Sequence, residues 1–228
     1  MDLNFNNMSP HSYNFLKSSI GVKIDWMSPA FWLILLSMFF YGALHSLLAS
    51  RRVKRWAEAR FGVQIRRYYR LFFSILGAVT FLPPLALTAL LPDRVIYTIP
   101  FPWYFLTGLL QIAGAVGLLY GVAQTGAMRF IGLDTVMDQA ALDRPSRFVT
   151  GGLYRWVRHP LYTCSLLFLW LMPVMSWNLL ALNIGVTLYF IIGSRFEEDK
   201  LLEEFGEAYA EYRRRTPAFL PRLFRPPE

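Results

Sequence analysis

Five apolar segments restrict what this chain can fold into. They are residues 30–49, 71–91, 101–123, 161–175 and 177–193. A helix that crosses about 30 Å of hydrocarbon needs roughly 20 apolar residues, a length that the first three segments meet. The last two are shorter, only Ser176 separates them, and Pro173 lies nearby, which predicts a tight helical hairpin; a pair of soluble core helices is the alternative. The expected fold is all-α, a polytopic integral-membrane helical bundle with about five transmembrane helices.

Composition points to the same class of protein. Only 17% of the residues are charged and 55% are hydrophobic, whereas soluble domains carry about 25% charged residues. The expected partner is a lipid bilayer, and no nucleic acid is expected, because basic nucleic-acid-binding proteins are rarely so apolar. A single Cys excludes a disulfide scaffold and a Cys-based metal cluster. The three His residues are too far apart in sequence to indicate a metal site.

The basic residues are distributed unequally between alternate segments. Residues 50–70, 124–160 and 194–228 hold 20 of the 23 Lys and Arg residues. Lys and Arg accumulate in the cytoplasmic loops of membrane proteins. The distribution therefore predicts a cytoplasmic C-terminus and an N-terminus on the opposite side, as an odd number of spans requires.

The loop of residues 124–160 ends in Arg158-His159-Pro160, directly before the fourth apolar segment. Pro is favoured in the first turn of a helix, where the free N–H groups and the helix dipole attract anions. Together with Arg158 and His159, this helix start predicts an electropositive corner that could bind a carboxylate or a ribose hydroxyl. The alternative is that Arg158 only flanks a span and obeys the charge rule.

Residues 195–215 are expected to continue the last span as a polar helix. Glu197 and Glu198 lie near its start, although basic residues predominate on this side of the membrane. Such a carboxylate could accept hydrogen bonds from hydroxyls or offset a cationic ligand; the alternative is an ordinary ion pair, such as Glu197 with Lys200. An ionisable residue inside a span, here His45, is a functional candidate by default; because His45 lies only about one turn deep, a hydrogen bond to a neighbouring helix is the alternative.

Together these motifs resemble one enzyme family. The run from Gly152 to Tyr162 (GLYRWVRHPLY), the Glu197-Glu198 pair and the residues that follow it to Pro221 resemble the isoprenylcysteine carboxyl methyltransferase superfamily. The members are integral-membrane methyltransferases that use S-adenosyl-L-methionine. His45-Ser46, residues 53–56 and residues 69–71 look more like the bacterial branch, which holds methanethiol S-methyltransferase and a relative linked to nitrogen-oxide metabolism. This branch implies a multi-pass protein of the bacterial inner membrane with a cytoplasmic catalytic face.

The resemblance implies three regions and a cofactor pocket. The regions are a polar N-terminal segment (1–29), the first three transmembrane helices (30–123) and a methyltransferase core (124–228). The residues that match cofactor contacts are Gln139, Ser146, Arg147, Phe148, Val149, Tyr154, His159, Pro160, Leu161, Tyr162 and Glu197. His45 and Arg195 are expected to bind the methyl acceptor, and no catalytic residue is assigned.

One departure from the family pattern concerns the acceptor. The prenylcysteine enzymes carry an Arg four residues before the matched Glu, whereas this chain has Gly193 there, and its nearest arginine is Arg195. This favours a thiol or another small or apolar acceptor. A prenylcysteine carboxylate, a lipid amine and a non-enzymatic membrane role in transport or assembly remain alternatives. A thiol must lose its proton, and His159, Tyr162 or His45 could assist.

Overall fold

The computed structural model describes residues 28–142 and 148–222, and helices make up most of them. The helices are α1 (Pro29–Ala49), α2 (Arg51–Phe61), α3 (Ile65–Leu90), α4 (Trp103–Thr125), α5 (Ala127–Ile131), α6 (Leu133–Met137), α7 (Pro160–Trp170), α8 (Trp177–Phe205) and α9 (Glu207–Arg215). Two short 3-10 turns (Gln139–Leu142 and Gly152–Arg155) and two strands, β1 (Val95–Thr98) and β2 (Val174–Ser176), complete the described chain.

Four helices, α1, α3, α4 and α8, are long and apolar enough to cross a membrane, which confirms the all-α polytopic fold. The fourth predicted segment differs: α7 has 11 residues and is about 16 Å long. Pro173 lacks the N–H that a continuing helix needs and disfavours the helical conformation of Met172. The prediction of a helix through residue 175 is therefore wrong. The chain continues as an extended segment into β2 before α8 begins.

A two-stranded antiparallel sheet joins the α3–α4 connection to the α7–α8 connection. Val95 pairs with Ser176, Tyr97 with Met175 and Thr98 with Val174. Near this sheet, the Asp93 carboxylate accepts a hydrogen bond from the backbone N–H of Asn178 at 3.0 Å. The sheet was not predicted, and it holds the start of α8 at the end of the bundle opposite to His159.

The core lies between α1 and α8, where six buried side chains pack together: Phe31, Ile34, Met38, Ala181, Leu182 and Val186. Gly185 lets the two helices approach closely, because an added Cβ would lie 2.7 Å from the Met38 side chain. In the same way α4 packs on α7 through Gly117, which contacts Cys164. Small residues at such contacts are typical of membrane helix pairs.

The segments on the polar side fold differently from the sequence expectation in two places. The basic residues after α1 form the amphipathic helix α2, which was not predicted. The helix that continues the last span ends at Phe205 instead of reaching residue 215. Gly206 adopts φ 57° and ψ −130° there, a conformation that other residues rarely adopt, and α9 starts in a new direction.

Gly132 is the glycine whose replacement should destabilise the fold most clearly. Its φ is +85°, and an added Cβ would lie 2.6 Å from the backbone nitrogen of Leu71. Gly132→Ala should therefore cost more than the ~1–2 kcal/mol of a left-handed conformation alone. Gly108→Ala on α4 is the control, since an added Cβ meets nothing within 4 Å there and a helical backbone suits alanine. Melting temperatures in detergent test this, and an equal or smaller loss for Gly132→Ala would contradict it.

Candidate methyltransferase site

A cavity of about 1180 Å³ opens at the polar end of the bundle and is lined by α1, α2, α3, α4, α7, α8 and the loop between α4 and α7. It is larger than the roughly 300–1,000 Å³ of typical small-molecule pockets. Seven of the predicted site residues line it: His45, Tyr154, His159, Pro160, Leu161, Tyr162 and Glu197. The structure thus brings together residues that are more than 150 positions apart in sequence.

Arg158 is held by an ion pair at the edge of this cavity. Its guanidinium donates to Glu198 Oε1 from Nε at 2.9 Å and from Nη2 at 2.7 Å. Both side chains are largely buried, with exposed fractions of 12% for Arg158 and 14% for Glu198. Arg158 also donates to the carbonyl oxygens of Arg213 and Thr216. The expected electropositive corner is corrected here, because Glu198 neutralises Arg158 and the guanidinium joins α7, α8 and the C-terminal segment.

The backbone strengthens the same junction. The N–H of Arg158 donates to the carbonyl of Pro217 at 2.8 Å, and that of His159 donates to the carbonyl of Ala218 at 3.1 Å. The hydroxyl of Tyr212 donates to the carbonyl of Tyr154 at 2.6 Å. The segment after α9 therefore fixes the backbone that leads into α7.

Glu197 has a different environment from its neighbour. Its Oε2 accepts a hydrogen bond from the Tyr162 hydroxyl at 2.9 Å and lies 3.6 Å from Nδ1 of His159. The side chain remains 48% exposed. The alternative of a Glu197–Lys200 ion pair is wrong, because Lys200 donates to the carbonyl of Ala49 instead. Glu197 therefore presents an oriented, accessible carboxylate to the cavity.

His159 connects the two glutamates. Its Nε2 lies 3.0 Å from Glu198 Oε1, and only 4% of its side chain is exposed. The imidazole packs nearly parallel to the rings of both Tyr162 and Phe219, at centroid distances of 5.4 and 5.5 Å, and these two rings also contact each other at 6.5 Å. His159 thus positions both carboxylates from one buried ring.

Tyr154 adds a neutral hydroxyl to the same wall. Burial, and then the negative charge of Glu197, raise the pKa of Tyr154 to about 12. At neutral pH the phenol is therefore protonated and can donate a hydrogen bond.

The opposite, apolar end of the cavity contains His45. Its ring lies 4.2 Å from that of Phe73 and 5.6 Å from that of Tyr41. Gly77 on α3 makes room for it, because an added Cβ would lie 3.0 Å from the imidazole. His45 is therefore an ionisable group among aromatic side chains, and its contact with an acceptor stays a prediction.

Several predicted residues do not line the cavity. Gln139 and Arg195 are exposed, and Val149 is half-buried. Phe148 stacks on Phe205 at 4.9 Å, in the aromatic cluster that holds α9. For these four residues a ligand contact stays a prediction. The predicted contacts of Ser146 and Arg147 lie outside the described residues.

Comparison with known proteins identifies the region that forms much of this site. Residues 105–208 match the phospholipid methyltransferase family. The matched segment comprises 104 of the 228 residues, so the similarity to a membrane methyltransferase family concerns this part of the chain. Methanethiol S-methyltransferase 2 of Bradyrhizobium diazoefficiens is 44% identical over 77 residues, which are 34% of this chain and 30% of that protein. No solved structure matches the chain significantly.

Two further relatives extend the comparison. Methanethiol S-methyltransferase 1 of the same bacterium is 28% identical over 195 residues, covering 82% of this chain and 65% of that protein. Human protein-S-isoprenylcysteine O-methyltransferase is 32% identical over 124 residues, covering 52% of this chain and 42% of that protein. The chain thus spans less than two thirds of each of these relatives. The resemblance inferred from the motifs is confirmed.

The methyltransferase family match leaves one wall of the cavity unassigned. Helices α1, α2 and α3 precede residue 105, yet they contribute Tyr41, Lys54, Tyr69 and Arg70 to the lining. Residues 53–56 and 69–71 were recognised as motifs of the bacterial branch, but nothing local indicated that they face the same cavity. The role of Glu198 was also missed, since its partner Arg158 is 40 residues away.

Proposed function

We propose that this protein is an integral-membrane, S-adenosyl-L-methionine-dependent methyltransferase that acts on a thiol or another small or apolar acceptor. The observation that carries the proposal is the convergence of Tyr154, His159, Tyr162 and Glu197 on one cavity within a methyltransferase family domain. The names of the bacterial relatives support a thiol acceptor. The proposed core comprises residues 124–228, with 30–123 as the supporting helices and 1–29 as a polar segment.

The donor groups of the cavity fit the proposed cofactor. Within the described chain, hydrogen bonds to Glu197 reach only Oε2, which leaves Oε1 to accept from ribose hydroxyls or an amino group. The rings of Tyr154 and Tyr162 border the same space, and aromatic faces attract cations. When bound, S-adenosylmethionine supplies an activated methyl group on a sulfonium.

The residues of this chain contribute position rather than covalent chemistry. Tyr162 and His159 orient the Glu197 carboxylate, so the ligand meets a preformed acceptor. At the apolar end, Phe73, Phe81 and Tyr41 exclude water and suit an apolar acceptor that enters from the bilayer. His45 stands at this end in reach of a thiol proton, and His159 and Tyr162 remain alternatives for that role.

Binding of S-adenosylhomocysteine to the purified protein in detergent tests the enzyme class. We expect saturable binding by calorimetry at micromolar to millimolar ligand. Absence of binding up to millimolar ligand would favour a non-enzymatic membrane role instead.

Acceptor choice provides a direct test of substrate class. Because Gly193 stands where the prenylcysteine enzymes have Arg, we expect little transfer to a farnesylated cysteine carboxylate compared with a small thiol. Labelled methyl groups distinguish the products. Mild base hydrolyses a methyl ester and releases the label as methanol, whereas it leaves a thioether or a methylated amine intact. A lipid amine is the second candidate, favoured by the description of the matched family. Robust base-labile product from the prenylated substrate would overturn the thiol assignment.

The location of the site follows from the charge distribution. We expect the site to lie on the cytoplasmic face of the bacterial inner membrane, because the polar end of the bundle carries most of the basic residues. A reporter fused after residue 228 should be cytoplasmic, and one fused before residue 1 should not. Reporters on the same side would contradict this topology.

A further inference from the structure

Three cationic side chains from separate helices line the cavity, and two of them lie on helices that precede the residues matched by the methyltransferase family. Lys54 on α2, Arg70 on α3 and Lys200 on α8 all line the cavity. Lys54 Nζ lies 5.8 Å from the centroid of the Tyr69 ring. Arg70 donates to the carbonyl of Arg129 at 3.1 Å, and Lys200 donates to the carbonyl of Ala49 at 3.2 Å. These carbonyl bonds fix the side chains in place but do not neutralise them.

The acidic side chains nearby have other partners, and Asp134, which also lines the cavity, accepts a hydrogen bond from the backbone N–H of Thr135 through Oδ1. Glu58 lies 4.0 Å from the Arg66 guanidinium, and Glu203 pairs with Arg51. Glu197 contacts Tyr162 and His159. Within residues 28–142 and 148–222, no carboxylate lies within salt-bridge distance of Lys54, Arg70 or Lys200. Among the described residues, the three charges therefore lack a carboxylate counterion and repel one another.

The pKa of Lys54 reflects its burial first and the neighbouring cations second. Burial, followed by the charges of Lys200, Arg70 and Arg51, lowers the pKa of its ammonium. An anion placed between these side chains would relieve the repulsion, and a bound anion is favoured where several cations share a partly desolvated cleft.

We infer that Lys54, Arg70 and Lys200 form a carboxylate-binding subsite, which holds the carboxylate of the amino-acid portion of the proposed S-adenosylmethionine. The inference rests on the proposed function. The two ends of S-adenosylmethionine would then lie on different walls of the cavity. The adenosyl end would lie beside Tyr154 and Glu197, and the amino-acid end beside α2 and α3.

The arrangement of charges suits a zwitterion better than an apolar acceptor. Lys200 follows Glu197 by three residues on α8, so the two side chains lie on neighbouring parts of one helix face. On α2, Glu58 follows Lys54 by four residues and lines the same cavity; its pair with Arg66 is long, at 4.0 Å, and exposed, so the ammonium of the amino acid can compete for this carboxylate. An apolar thiol would leave the three cations without a partner.

Two ligands that differ in the amino-acid portion test the subsite. S-Adenosylhomocysteine carries this portion, whereas 5′-methylthioadenosine lacks it. Lys54→Met and Lys200→Met should each weaken S-adenosylhomocysteine binding about tenfold, the lower end for a charge-assisted hydrogen bond, because these side chains are partly exposed. Binding of 5′-methylthioadenosine should change less than about twofold. Lys54→Arg should retain most of the affinity, and Arg52→Met, on α2 but away from the cavity, is the matched control.

The outcomes separate this inference from the proposed function. Selective loss of S-adenosylhomocysteine affinity supports the subsite, and normal 5′-methylthioadenosine binding shows that the variant is folded. Equal losses for both ligands, or no loss for either, would overturn the subsite while the methyltransferase proposal stands. If the wild-type protein binds neither ligand, the proposed function fails, and the subsite with it.

Discussion

Replacing Glu198 with alanine should destabilise the protein more than any other single carboxylate change in the described chain. Glu198 is the counterion of the largely buried Arg158 and also contacts His159. Removing one partner of a buried ion pair leaves an uncompensated charge, which costs about 3–5 kcal/mol. We expect the lower end of this range, because 12–14% of each side chain remains exposed. Thermal unfolding in detergent measures the loss.

A second ion pair at the same end of the molecule serves as the control. Glu207 pairs with Arg214 on α9, but their side chains are 80% and 59% exposed. Exposed pairs contribute about 0–1 kcal/mol, so Glu207→Ala should barely change the melting temperature. If Glu198→Ala unfolds at the same temperature as Glu207→Ala, the Arg158–Glu198 pair does not hold the C-terminal segment on the bundle.

The positions of the spanning helices could be predicted because hydropathy is a local property. Segments near 30–49, 71–91 and 101–123 needed only the length of each apolar run, and α1, α3 and α4 agree with them. Pro173 explains the end of α7 locally, whereas the β1–β2 sheet depends on pairing between residues about 80 positions apart. Nothing in the sequence of residues 171–176 alone indicates that they pair with a strand in the α3–α4 connection.

The site shows the same division between local and distant information. The Arg158-His159-Pro160 run and the paired glutamates could be recognised as motifs, but adjacent helical residues point about 100° apart. Glu198 therefore faces Arg158 while Glu197 faces the cavity. Which of the two faces the cavity depends on how α8 is rotated relative to α7. Likewise, Lys54 and Arg70 became cavity residues only through the packing of α2 and α3 beside α8.

The largest effect on ligand binding is expected from Glu197, although it neighbours Glu198. Glu197→Gln keeps the shape of the side chain but removes the charge that would accept hydrogen bonds from the ligand. Loss of a charge-assisted hydrogen bond costs roughly 1.5–3 kcal/mol, or about 10- to 150-fold in affinity. We expect S-adenosylhomocysteine binding to weaken by that range, while the melting temperature changes little, because Glu197 is half exposed. His159→Ala should weaken binding similarly but also lower the melting temperature, since its buried ring contacts Glu198.

Glu203→Gln is the matched control for this binding loss, because it removes the same charge from the same helix. Glu203 forms an exposed pair with Arg51 and does not line the cavity. Its replacement should change ligand affinity by less than about threefold. Glu197 and Glu198 are adjacent but face different partners, so their replacements should have different effects. Glu197→Gln should weaken ligand binding without changing stability, and Glu198→Ala should lower stability. If Glu197→Gln binds like the wild type while Glu203→Gln does not, the ligand lies on a different face of α8.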